Sequence, residues 1–169
     1  MLTIDRLDVD LLRILERDAR TGVVELAATV GVSRNTVQAR IKRLEEAQLL
    51  AGYRPEFDMA KAGLVVQAYI ALETEQSSLA AITEELIIIP QVLEVHAITG
   101  REDLLVRVAA ATQPDLQQLI ERIVSLRGVV HSNTSLTLTT PLRYRGVPAL
   151  AEIAKSPGRA RPSQTHRSP

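Results

Sequence analysis

The sequence predicts an α+β chain of two parts, an N-terminal winged helix-turn-helix and a C-terminal ferredoxin-like βαββαβ half. Three observations predict it. Residues 8–47 hold two helical stripes separated by a short helix and a Gly31-Val32 turn. Residues 64–140 alternate strand-like and helix-like runs in the order strand, helix, strand, strand, helix, strand. Beyond Pro141 both periods fade into a segment rich in Pro, Ser, Arg and Gly.

Asp8 to Arg20 reads as the first helix, with Val9, Leu11, Leu12, Ile14 and Leu15 near helical spacing. Asp5 or Asp8 is placed to cap its start, and Gly22 to end it. Val24 to Val30 forms a second, short helix. Ser33 stands where an N-cap belongs, ahead of a third helix running to about Ala47. There Val37, Ile41 and Leu44 fall at i, i+4 and i+7, so one stripe faces a core. Leu49 to Pro55 reads as a short strand with a wing-like bend, and Asp58 to Gly63 as a connection. The first domain spans 1–60.

In the second domain, 61–140, the strands are Leu64–Leu72, Val92–Thr99, Asp103–Ala110 and Val129–Thr139. The helices are Ser78–Ile88, stopped by Pro90, and one from Pro114 to about Leu126, with Thr112 as its cap. Gly100-Arg101-Glu102 makes a hairpin turn. Apolar residues fall on both parities of these strands, so both sheet faces call for cover. One face takes the helices, and the other a second copy of the chain, giving a sheet-to-sheet dimer. Residues 141–169 form a basic, largely disordered tail, with a helical turn at Ala149–Lys155.

Composition narrows the function. There is no cysteine, so neither a disulfide framework nor a thiolate zinc site is open to this chain. No leader-like N-terminus and no run of ~20 apolar residues is visible, which predicts a soluble cytoplasmic protein with no membrane partner. No Gly-rich phosphate loop or nucleophile–base pair is evident, so neither an enzyme nor a cofactor is expected. His96 and His131 on strands and His166 in the tail read as structural or solvated, and no metal is expected.

Net charge is zero, but its distribution is uneven. Residues 33–44 carry Arg34, Arg40, Lys42 and Arg43 and no acid. With Val37, Ile41 and Leu44 turned inward, ~100° per residue sends Asn35, Gln38, Ala39 and Lys42 outward. Asn and Gln bond adenine edges in bidentate fashion, and Ala contacts a thymine methyl. Arg34, Arg40 and Arg43 flank this surface where phosphates would pass. Ser33 and Thr36 sit at the helix start, where free N–H groups also hold phosphate. The expected partner is double-stranded DNA. With three Tyr, one Phe and no Trp, no stacking platform for single strands is visible. The rival reading is a self-assembling adaptor, binding an amino acid, whose helix-turn-helix grips protein. In the second domain, Thr99, Gly100, Arg101, Glu102 and Asp103 form the candidate ligand loop, with Asp103 placed to accept from an ammonium group.

These residues resemble the Lrp/AsnC family of transcriptional regulators. The likeness is carried by Leu7-Asp8, Asp10, Ile14-Leu15, Asp18-Ala19-Arg20, Glu25-Leu26-Ala27, Val30-Gly31-Val32-Ser33, Val37, Arg40-Ile41, Arg43-Leu44-Glu45 and Gly52-Tyr53. It continues through Pro90, Val92, Glu94, Thr99-Gly100, Asp103, Leu105-Val106 and Gly128-Val129. The resemblance covers about residues 5–140. It implies a prokaryotic regulator whose ferredoxin-like domains pair into dimers, which assemble into tetramers, octamers or larger discs. It also implies an amino-acid effector held between dimers near Thr99–Asp103. Two positions depart from the family: Gln48 stands where Gly is usual, and Arg101-Glu102 where an acidic–aromatic pair is common.

Overall fold

The computed structural model describes residues 2–155. Two compact units emerge. One takes the residues up to Pro55 together with the segment from Leu142 onward, and the other is Glu56–Pro141.

In the first unit, α1 (Arg6–Arg17), α2 (Val23–Val30) and α3 (Arg34–Glu46) form the expected trio. Asp5 caps α1 through a reciprocal box: the Asp8 N–H donates to Asp5 Oδ1 at 3.1 Å and the Asp5 N–H to Asp8 Oδ2 at 2.9 Å. The helix stops three residues earlier than expected. Asp18 closes it with its own N–H on Ile14 O, and its carboxylate takes the Arg20 N–H, drawing the backbone out of the helix. Gly22, expected to end α1, instead caps the start of α2. Gly31 ends α2 at φ 74°, in the left-handed region that the tight turn requires. Leu11, Leu15, Leu26, Ala27 and Val37 pack into one cluster.

One expectation for this unit is corrected and another is extended. Leu49 to Pro55 opens with a bend and pairs with no strand among the described residues, so the wing has no ladder. The Leu49 and Leu50 N–H groups turn back onto Leu44 O at 3.0 and 3.1 Å instead of entering a ladder, and Pro55 offers no N–H. The helical turn expected at Ala149–Lys155 is part of a longer helix, α6, Val147–Lys155, in a stretch otherwise expected to be irregular. Val147, Leu150, Ala151 and Ala154 recur at helical spacing and pack against Ile4, Val9, Leu12 and Leu44. The disorder expected for residues 156–169 lies outside the described residues.

In the second unit, β1 (Val66–Thr74), α4 (Leu79–Ile87), β2 (Val92–Ala97), β3 (Leu104–Ala110), α5 (Gln113–Val124) and β4 (Val129–Leu136) follow the predicted order. The strands form one antiparallel sheet, β2-β3-β1-β4. Thr112 and Asp115 make a second reciprocal cap at α5. Ala68, Ile70 and Leu72 of β1 and Leu104, Val106 and Val108 of β3 meet Ile82, Leu86, Leu116, Leu119 and Ile123 beneath the helices. Gly128 (φ 96°) passes so close to Ser78 that a Cβ there would stand 2.3 Å from the serine's own. The register puts Tyr69, Ala71, Leu105, Arg107, Glu94 and His96 on the other face. That face is more polar than the sequence suggests: Arg107 reaches Glu94 at 3.4 Å and Gln67 at 3.2 Å.

Candidate nucleic-acid interface and ligand loop

The back of α3 is decided by Val37 and Leu44, both fully buried, with Ile41 half-buried between them. Turning about the helix axis exposes Arg34, Asn35, Gln38, Ala39 and Lys42. These form one solvent-facing strip of guanidinium, two carboxamides, a methyl and an ammonium. Ser33 Oγ accepts the Thr36 N–H at 3.1 Å and shares a hydrogen bond with the Thr36 hydroxyl at 2.8 Å. The capping serine therefore takes up one of the N–H groups expected to be free for phosphate. Lys42 stands 3.7 Å from Glu46 in an exposed pair, a contact weak enough to yield to a stronger anion.

Arg40 and Arg43 do not flank this strip as expected. Both turn back onto α1. The Arg40 guanidinium lies on Asp5 and reaches Asp8 Oδ1 at 3.3 Å, while Arg43 Nη2 bonds Asp8 Oδ2. Asp8 is completely buried, and a buried carboxylate demands such partners. The pairing fixes α3 against the start of α1, and both arginines serve that clasp. Asp5 is pulled upward by partial burial, yet the Asp8 N–H and the Arg40 charge together outweigh this and hold it below the ordinary carboxylate range. Arg40 is raised in turn, first by its hydrogen bond to Asp5.

The sequence carries a signal for this clasp. Asp8 shares a helical face with Leu11, Leu12 and Leu15, and an acid on an apolar stripe asks for a cation. At the far end of α3, Gln48 takes φ 56°, while the N–H groups of Gln48 and Leu49 donate to Glu45 O and Leu44 O at 2.9 and 3.0 Å. This is the glycine-type helix ending built with a glutamine, whose side chain adds a bond to Glu45 O at 3.2 Å. Tyr53 is pushed up by burial and by Glu45, whose carboxylate lies 3.4 Å from its hydroxyl.

In the second unit, Thr99, Gly100 and Arg101 are exposed, with Glu102 and Asp103 half-buried behind them. Gly100 adopts φ 137°, closed to most side chains, and lets the hairpin turn. Arg101 approaches Glu73 at 3.5 Å. Asp103 Oδ2 accepts from the Thr74 N–H at 2.7 Å and the Thr74 hydroxyl at 3.1 Å. Through Oδ2 this carboxylate braces the loop against β1.

Comparison with known proteins matches this architecture twice. Residues 4–45 fit the AsnC-type helix-turn-helix domain, and residues 67–147 the Lrp/AsnC ligand binding domain. An uncharacterised HTH-type transcriptional regulator of Pyrococcus furiosus is 30% identical over 141 residues, 81% of this chain and 94% of the relative. The solved structure of Escherichia coli AsnC superposes with a TM-score of 0.79 at 26% identity, covering 87% of this chain and all of that one. A Neisseria meningitidis transcriptional regulator, solved with L-Met, gives 0.78 at 24% identity over 83% of this chain and 94% of its own.

Proposed function

Because this chain belongs to the Lrp/AsnC family of DNA-binding transcriptional regulators, we propose that the exposed strip of α3 reads its operator. Asn35 and Gln38 take base edges, Ala39 packs on a thymine methyl, and Arg34 and Lys42 meet phosphates, with Ser33 and Thr36 setting the helix start. Arg40 and Arg43 contribute by aiming the helix from behind. The observation that carries this reading is the division of α3 into a buried apolar back and a front with no tertiary partner among the described residues.

The second unit pairs two chains through the open face of its sheet, where Tyr69, Ala71 and Leu105 offer apolar contact and Arg107 and Glu94 polar contact. Dimers then assemble into tetramers, octamers or larger rings. A dimer presents two α3 helices to two half-sites of one duplex. An amino acid or related small molecule binds near Thr99–Glu102, with Asp103 holding the loop. The match to a ligand-binding domain supports this, and the Neisseria regulator carries L-Met. The protein acts on the chromosome, in the prokaryotic cytoplasm.

A gel shift on the promoter of its own gene tests the reading. Gln38→Ala is expected to reduce binding to that promoter while leaving random duplex unaffected, at about 1–3 kcal/mol of lost discrimination. Equal losses on both duplexes would remove the base-reading assignment.

A further inference from the structure

Where α6 folds back on α1, the two helices enclose a cleft of about 390 Å³ that the base-reading strip does not include. It is lined by Arg13, Glu16, Arg17, Arg145, Val147 and Glu152, among others. Most of α6 lies beyond the residues that match the ligand-binding domain.

The charges in this cleft are unequally engaged. Glu16 Oε1 accepts the N–H groups of Gly146 and Val147 at 2.7 and 3.1 Å, so its charge closes the start of α6. Glu152 bonds Lys155 at 2.7 Å, and Arg13 bonds Asp10 at 2.6 Å. Arg17 and Arg145 make neither a hydrogen bond nor an ion pair with any other described residue. Docking of α6 thus gathers three guanidinium groups at one concavity and leaves two of them without an anion. Burial of Val147, Leu150, Ala151 and Ala154 holds them there against their repulsion. Two planar donor forks suit an anion with several acceptor oxygens spread over a tetrahedron.

We propose that this cleft is a binding site for a phosphate-class oxyanion, held by Arg17 and Arg145 with Arg13 at the rim. The phosphate is either free, as inorganic phosphate or part of a small metabolite, or belongs to the backbone of a bound duplex. The site does not rest on the base-reading assignment of α3.

Two measurements on the full-length chain test it, using the double variant Arg17→Ala/Arg145→Ala and, as control, Arg127→Ala on the other unit. In the first, inorganic phosphate is titrated against amide NMR signals, with sodium chloride at equal ionic strength as reference. Phosphate is expected to move the Gly146 and Val147 signals well beyond chloride, and the double variant to weaken that response at least tenfold. An Arg17→Lys/Arg145→Lys variant keeps the charge but loses the forks, and is expected to recover only part of it. In the second, binding to a random-sequence duplex is followed against salt. A backbone phosphate in the cleft lowers the slope of log K on log salt by roughly two for the double variant and leaves the control unchanged. A phosphate response with an unchanged slope assigns the site to free phosphate. If phosphate acts no differently from chloride and the double variant's slope equals the control's, the proposal is overturned, whatever α3 does with cognate DNA.

Discussion

The two units are held together by different physics. The sheet unit is built on hydrocarbon: Ile70, Leu72, Ile82, Leu86, Val106 and Ile123 are sealed from water with no charged side chain among them. The helical unit has apolar clusters too, yet it seats its third helix with a buried carboxylate, Asp8, shared between two arginines. Apolar contact is non-directional, so a sheet covered by helices tolerates small shifts. A carboxylate between two guanidiniums admits few geometries, which suits a helix whose azimuth decides which side chains face a duplex. The difference teaches that the reading surface of α3 is set from its opposite side.

That contrast is broken first at its centre. Asp8→Ala takes the carboxylate from Arg43, leaves Arg40 on Asp5 alone and opens the reciprocal cap of α1, and is expected to destabilise the helical unit by about 3–5 kcal/mol. Ile70→Ala in the sheet core is expected to cost ~2–5 kcal/mol through lost burial and a residual cavity. Hydrogen exchange with urea unfolding checks both: the losses should fall in different units. Asp8→Ala lowering protection evenly throughout both units would contradict a local clasp.

Smaller in effect, acid should separate the units. Asp5 is held below its ordinary value in the fold, so its contribution is present above about pH 4 and is lost as pH falls through the folded value. The helical unit should therefore weaken below about pH 4, and Asp5→Asn should flatten that decline at the expense of stability at neutral pH. Thermal unfolding followed by circular dichroism from acid to neutral pH measures this, and an unchanged pH profile in the variant would count against the pairing.

The smallest change sharpens the picture of how α3 ends. Gln48→Gly relieves a left-handed backbone at a β-carbon-bearing residue and is expected to raise stability by up to ~1 kcal/mol. Loss of the Gln48 side-chain bond to Glu45 O offsets part of that gain. A drop in melting temperature would show that the side-chain bond outweighs the backbone strain.

What the sequence alone makes legible follows from the range of each interaction. The stripe of Val37, Ile41 and Leu44 is local, and it suffices to orient α3 and to expose Asn35, Gln38, Ala39 and Lys42. Strand order follows from alternation and turn residues of short range. Helical geometry puts Arg40 and Arg43 on the wrong side because their partners lie 32 to 35 residues away, beyond any helical period. The bond of Asp103 to Thr74 is hidden in the same way, since Thr74 sits 29 residues earlier on a neighbouring strand. The turn at Ala149–Lys155 is legible, but the Pro- and Arg-rich composition around it hides how far the stripe of Val147, Leu150, Ala151 and Ala154 extends and that it packs on α1. The wing fails for the converse reason, since Leu49 to Pro55 has strand-like residues but no strand to pair with among the described residues.

The return of the polypeptide to its starting unit has a practical consequence for dissecting the molecule. Ile4 near one end and Leu150 near the other share a single cluster, so the sheet unit is an insertion within the helical one. A stop codon after Pro141, which looks like a harmless trimming of a tail, would strip Val9, Leu12 and Leu44 of their cover. Its damage would fall on the part of the protein farthest away along the gene.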